Sequence, residues 1–188
     1  MNQRSLIYLL AFIVTIGSVA TNIYIPALPV VREYFDATVA QAQATFSIAL
    51  LTFAIGMLFW GPFADRYGRR LAILAGVGLM AVGSVVCLFA SSLAWLIAGR
   101  GVLAFGTATG IAVSRTIVSD LYPDSMARML AQLAIFAVVS SASAPVIGGF
   151  LTSWFGWRSV FAAQVVMAAA VAWLTPKNPP EARPATKH

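Results

Sequence analysis

The sequence predicts an all-α membrane protein of six transmembrane helices. Three observations carry this. Apolar residues make up 60% of the 188-residue chain and charged residues only 10%, whereas a soluble domain is about half apolar and about a quarter charged. The apolar residues gather in six stretches that approach the ~20 residues needed to cross a bilayer. Most charges fall in the short intervals between these stretches, where they orient spans. The net charge of +6 therefore reads as topology. Nucleic-acid binding would need a basic stripe with interleaved surface aromatics, which the chain lacks.

The first stretch covers residues 6–24 and continues through Pro26 towards Val31. Arg4, the apolar run and Ser18-Val19-Ala20 admit a second reading as a signal peptide. The length of the run and the short-looped spans after it favour a span. The remaining stretches cover residues 40–60, 71–90, 93–118, 129–152 and 160–174. Residues 1–175 then form one transmembrane bundle. Residues 176–188, rich in proline and charge, read as a disordered cytoplasmic tail or linker.

Basic residues set the orientation. Arg4, then Arg66, Arg69 and Arg70, then Arg128, then Lys177, Arg183 and Lys187 share one side; the other side holds Arg32 and Arg158. This bias predicts both termini in the cytoplasm. The densest cluster is GPFADRYGRR at residues 61–70. It sets Asp65, Arg66, Arg69 and Arg70 beside Gly61, Pro62 and Gly68, and reads as a tight cytoplasmic loop that braces two helices by charge.

Ionisable residues inside a span are costly and point to function. Arg100 lies about two turns inside the fourth span, with Gly99, Gly101, Gly106 and Gly110 thinning the same helix. Arg115 lies near the cytoplasmic end and can snorkel. No Asp, Glu, Lys or His stands in the middle of a span. Thr21, Asn22, Tyr24, Gln41, Gln43 and Thr45 could line a polar cavity or sit at helix ends; Tyr24 and Trp60 could equally belong to aromatic belts. In the fifth span, serines precede Ala144, Pro145, Gly148 and Gly149, a density of small residues that suits close helix contact. Lone Cys87 suits packing, and the one histidine, His188, is terminal. No metal, cofactor or enzyme chemistry is expected.

GPFADRYGRR resembles the loop between the second and third helices of the major facilitator superfamily. The run from Arg100 to Gly110 is similar to that family's fourth-helix arginine motif, and APVIGGFLTSWFGWRSVF at 144–161 resembles its fifth-helix proline–glycine motif in drug antiporters. NIYIPALP at 22–29 and SDLYPDSMAR at 119–128 look like the bicyclomycin and chloramphenicol resistance group of proton-coupled pumps. The resemblance implies one six-helix half of a twelve-helix fold, in the inner membrane. It implies a cytoplasmic latch of Asp65 and Arg69 with Asp120 nearby, Arg100 facing the cavity or proton pathway, and Pro145, Gly148 and Gly149 in the seam with the opposite half. Gly106 and Gly110 are expected on the same outward small-residue face.

Three departures stand out. Only the first half of the family pattern is matched, and the tail resembles the start of its central linker. Asn22 stands where the group commonly has an acid. Leu103 and Ala104 replace a Gln or His and a Gly. Two functions follow: efflux of amphipathic drugs, with protons as a candidate coupling ion, by a parallel homodimer or with a separate second half; or an isolated half serving as a membrane assembly domain without transport.

Overall fold

The computed structural model describes residues 3–175, with side chains from Leu10 onward. The expected tail, with Lys177, Arg183, Lys187 and His188, lies outside the described residues, as does the Arg4 side chain. Every regular element described is helical. Helix α1 spans Gln3–Asn22 and runs through a 3₁₀ turn into the short α2, Leu28–Tyr34. Then follow α3 (Val39–Tyr67), α4 (Arg69–Leu88), α5 (Leu93–Leu121), α6 (Met126–Phe155) and α7 (Arg158–Leu174). With α1 and α2 taken as one span, five are long and apolar enough to cross a membrane, and α7 is a shorter apolar helix of 17 residues.

Local chemistry fixes the helix ends. Thr38 opens α3 with a reciprocal cap: the Gln41 amide donates to the Thr38 hydroxyl at 3.2 Å, and the Thr38 amide donates to Gln41 Oε1 at 2.9 Å. Two donors that a helix start leaves orphaned are thereby satisfied. Gln41 is thus a capping residue at a helix end. Ser92 opens α5 by accepting from the Trp95 amide.

The interval at 61–70 differs from the expected loop. Helix α3 continues through Gly61, Pro62 and Asp65 to Tyr67, and only Gly68 breaks the chain before α4. A proline removes a single helical hydrogen bond, which the flanking residues of a 29-residue helix outweigh. Gly68 has φ 91° and ψ 146°, a conformation that favours glycine. Two long helices are thus joined by one residue.

Helix α5 is the centre of the bundle and packs on α3, α4 and α1; α6 lies against α1 and α7 against α4. In the most apolar 18-residue stretch of each, two-thirds of α1–α2 and of α5 is buried, but only 17% of α3 and 17% of α6. Those two helices turn Leu51, Ile55 and Leu58, and Ile135, Val138 and Phe150, outward.

The glycines expected on an outward seam lie mostly inside the bundle. A Cβ at Gly106 would strike the Gly76 carbonyl and the Met80 amide of α4. One at Gly110 would press Ile13 of α1 at 3.0 Å, and one at Gly148 would overlap the Ile23 carbonyl. Gly149 and Pro145 are half-buried, and a Cβ at Gly149 would stand 3.9 Å from Pro26, in ordinary contact. Small residues let backbones approach in a membrane bundle, and here they join helices of the same bundle.

Candidate functional site: a cytoplasmic latch and a buried arginine

At the cytoplasmic end as read from the charge bias, Arg69 opens α4 and Asp120 stands in the last turn of α5. Arg69 Nη2 forms an ion pair with Asp120 Oδ2. The arginine is buried, while the carboxylate side chain is 45% exposed. The three-residue network expected with Asp65 is therefore a pair. Because α3 stays helical past residue 61, Asp65 falls on an exposed face, next to the buried Ala64. Asp65 makes no ion pair among the described residues. Arg66 is exposed, its guanidinium carbon 5.4 Å from the Tyr67 ring centre, and Arg70 is half-buried.

The second cluster lies deep in the bundle. Arg100 is 2% exposed. Its Nε donates to the Thr45 carbonyl at 2.9 Å, and its guanidinium carbon stands 3.7 Å from the Tyr24 ring centre. Tyr24, fully buried, shares a hydrogen bond with the Thr45 hydroxyl at 3.1 Å. Arg100 Nη1 has no partner, and no carboxylate pairs with this cation among the described residues. Arg100 and Tyr24 thus tie α5, the α1–α2 turn and α3 together, where cavity-facing positions were expected. Neither aromatic-belt alternative fits, since Trp60 is also buried and donates Nε1–H to the Phe105 carbonyl at 2.8 Å.

Asn22 is half-buried and bridges helices: its Nδ2 donates to the Ser18 carbonyl at 2.9 Å and to Ser141 Oγ of α6 at 3.3 Å. Gln43 lines a small groove of about 250 Å³ with Ile25, Leu28, Phe46 and Ser47.

Gln164 and Ser114 escaped the sequence reading, and Arg158 was read only as a loop charge. Gln164 of α7, fully buried, donates to the Ala20 carbonyl of α1 at 2.8 Å. Arg158 donates to the carbonyls of Leu88 and Ala90 and to Tyr34 Oη, and lies beside the Trp157 ring. Ser114 is buried with an unpartnered hydroxyl. A polar residue on an apolar helix was the only available signal for Gln164 and Ser114.

Against known families, residues 10–188 match the model described as Major Facilitator Superfamily. The chain belongs to that superfamily. The superfamily fold also appears in a solved bacterial homologue of the human lysosomal transporter Spinster, in an inward-facing, unoccupied conformation, with a TM-score of 0.75 at 23% identity over 96% of this chain and 45% of that one. Multidrug resistance protein D of Escherichia coli K12 is 33% identical over 96% of this chain and 46% of its own length. The bicyclomycin resistance protein homologue of Haemophilus influenzae is 29% identical over 86% and 42%. This major facilitator chain therefore spans about half the length of the curated relatives it matches. Its apolar helices make it a multi-pass membrane protein.

Proposed function

We propose that the chain forms one wall of an efflux transporter for amphipathic drugs in the cytoplasmic membrane, with both termini on the cytoplasmic side. A second six-helix unit completes it, and one-sided basic charge would make a second copy insert in parallel. The observation that carries this reading is the outward apolar face of α3 and α6, with only 17% of the most apolar 18-residue stretch of each buried. Transport by alternating access rocks one bundle against another around a midplane site, and these are the faces free to meet a partner. Exposed Asp65, close in sequence to the Arg69–Asp120 pair, supports a latch that reaches across to that partner. Proton coupling, if present, belongs to the edge carboxylates or to the partner, because no span carries an acid at mid-depth.

The test is oligomeric state in bilayers paired with a drug-accumulation assay. The reporter cysteine is placed at the exposed Val139, with Cys87 replaced. Cross-linking together with reduced accumulation is expected. Strictly monomeric behaviour with unaltered drug sensitivity would overturn the reading.

A further inference from the structure

A cleft of about 490 Å³ opens between α1, α5 and α6, within the size range of small-molecule sites. Val14, Ile111, Leu130 and Leu133 give it apolar walls. Its polar lining comes from Ser114 and Arg115. Ser114 is 1% exposed, and its hydroxyl has no partner in the protein. A buried hydroxyl without a hydrogen bond is costly. Arg115 is exposed and makes no ion pair among the described residues.

Charge selects the ligand class. Among the described residues, Arg115 is the one charged residue in the lining of the cleft, and no carboxylate is among its walls. A lipophilic cation entering the cleft meets no carboxylate in that lining. An anion meets a guanidinium fork that suits carboxylate, sulfonate or phosphate oxygens, with a hydroxyl donor beside it. We propose that this cleft binds an amphipathic monoanion: its charged end against Arg115 and Ser114, its apolar body along α1 and α6. That the anion is transported cargo rests on the efflux reading; that it binds does not.

The experiment uses the purified chain in phosphatidylcholine nanodiscs, titrated with pyrenebutyrate and with a pyrene-bearing trimethylammonium of similar bulk. Energy transfer from tryptophan reports binding. Pyrenebutyrate is expected to bind saturably, and the cation at least tenfold more weakly. Losing a charge-assisted hydrogen bond should weaken the anion about tenfold or more in Arg115→Gln, with partial recovery in Arg115→Lys. Ser114→Ala should weaken it about threefold. Displacement by added phosphatidylglycerol would identify a lipid phosphate as the natural occupant; persistence would identify a free organic anion. Unchanged binding in Arg115→Gln, or equal binding of the cation, overturns the proposal. Binding without drug flux would sink only the efflux reading, and flux without binding only this one.

Discussion

Replacing Arg100 by methionine should leave the fold as stable as before, or more so. The guanidinium is buried at 2% exposure. Its stacking on Tyr24 contributes about 2 kcal/mol when desolvated. Its hydrogen bond to the Thr45 carbonyl contributes about 1.5–3 kcal/mol. Against these stands the cost of taking one cation out of water, several kcal/mol even after relaxation, with no carboxylate to offset it and Nη1 unsatisfied. Little is orphaned by the change. Thr45 lies inside α3, so its carbonyl keeps the helical bond, and the Tyr24 hydroxyl keeps Thr45 Oγ1. The expected shift in Arg100→Met is between zero and about 2 kcal/mol of stabilisation, in line with apolar replacement of buried charges elsewhere. Arg100→Lys keeps the charge but loses the planar fork, and should rank below both. Unfolding by titrated SDS in mixed micelles, followed by circular dichroism, gives the order. A loss above about 2 kcal/mol in Arg100→Met would refute the reasoning and make the arginine a structural strut. Stability retained with drug export lost would mark a charge kept for function.

Removing Asp120 leaves buried Arg69 without its partner. Asp120→Asn should cost about 1–2 kcal/mol, below the value for a fully buried pair because the carboxylate is 45% exposed, whereas Asp65→Asn should leave the unfolding midpoint in place and impair only drug export; equal stability losses would argue against the pair. Gly148→Val should cost about 1–3 kcal/mol by overpacking, because its Cβ overlaps the Ile23 carbonyl, while Gly149→Ala, with 3.9 Å to Pro26, should be tolerated in the same unfolding assay. In a background lacking Cys87, cysteine at Ser92 should label from outside intact cells and cysteine at Thr186 should not; external labelling at Thr186 would reverse the topology.

Helix number and the course of the chain were legible because hydropathy is a one-dimensional signal. The end of α3 was not. Gly61 and Pro62 look like breakers in isolation, yet a long helix absorbs one missing hydrogen bond, and only Gly68 needs a conformation that ends it. Arg69 and Asp120 could be named as latch partners from the family resemblance, but which of Asp65 and Asp120 Arg69 would take could not. Pairing depends on how α4 and α5 cross, and that depends on the glycine contacts between them. Asp65 was grouped with them by the family resemblance, and the persistence of the helix turns it to another face. Arg100 was legible as unusual and illegible in its surroundings. Tyr24 and Thr45 are 76 and 55 residues away in the chain, and no periodicity links them. The glycines were legible as packing residues, but not as to which helix each would touch.

The Gly106 contact with α4 limits how this half can move. Where two backbones meet without a side-chain layer between them, one helix cannot slide along the other, because any shift drives a Cβ from the next residue into a carbonyl. Arg158 adds a rivet at the far end of α4, holding α7 to the turn after α4 and to Tyr34. Shear between packed helices, one of the two common ways a domain deforms, is therefore opposed between α4 and α5. In the proposed transporter, a bundle built this way would act as a lever arm. Any stroke it contributes must be delivered whole, at the bearing surface that α3 and α6 leave uncovered.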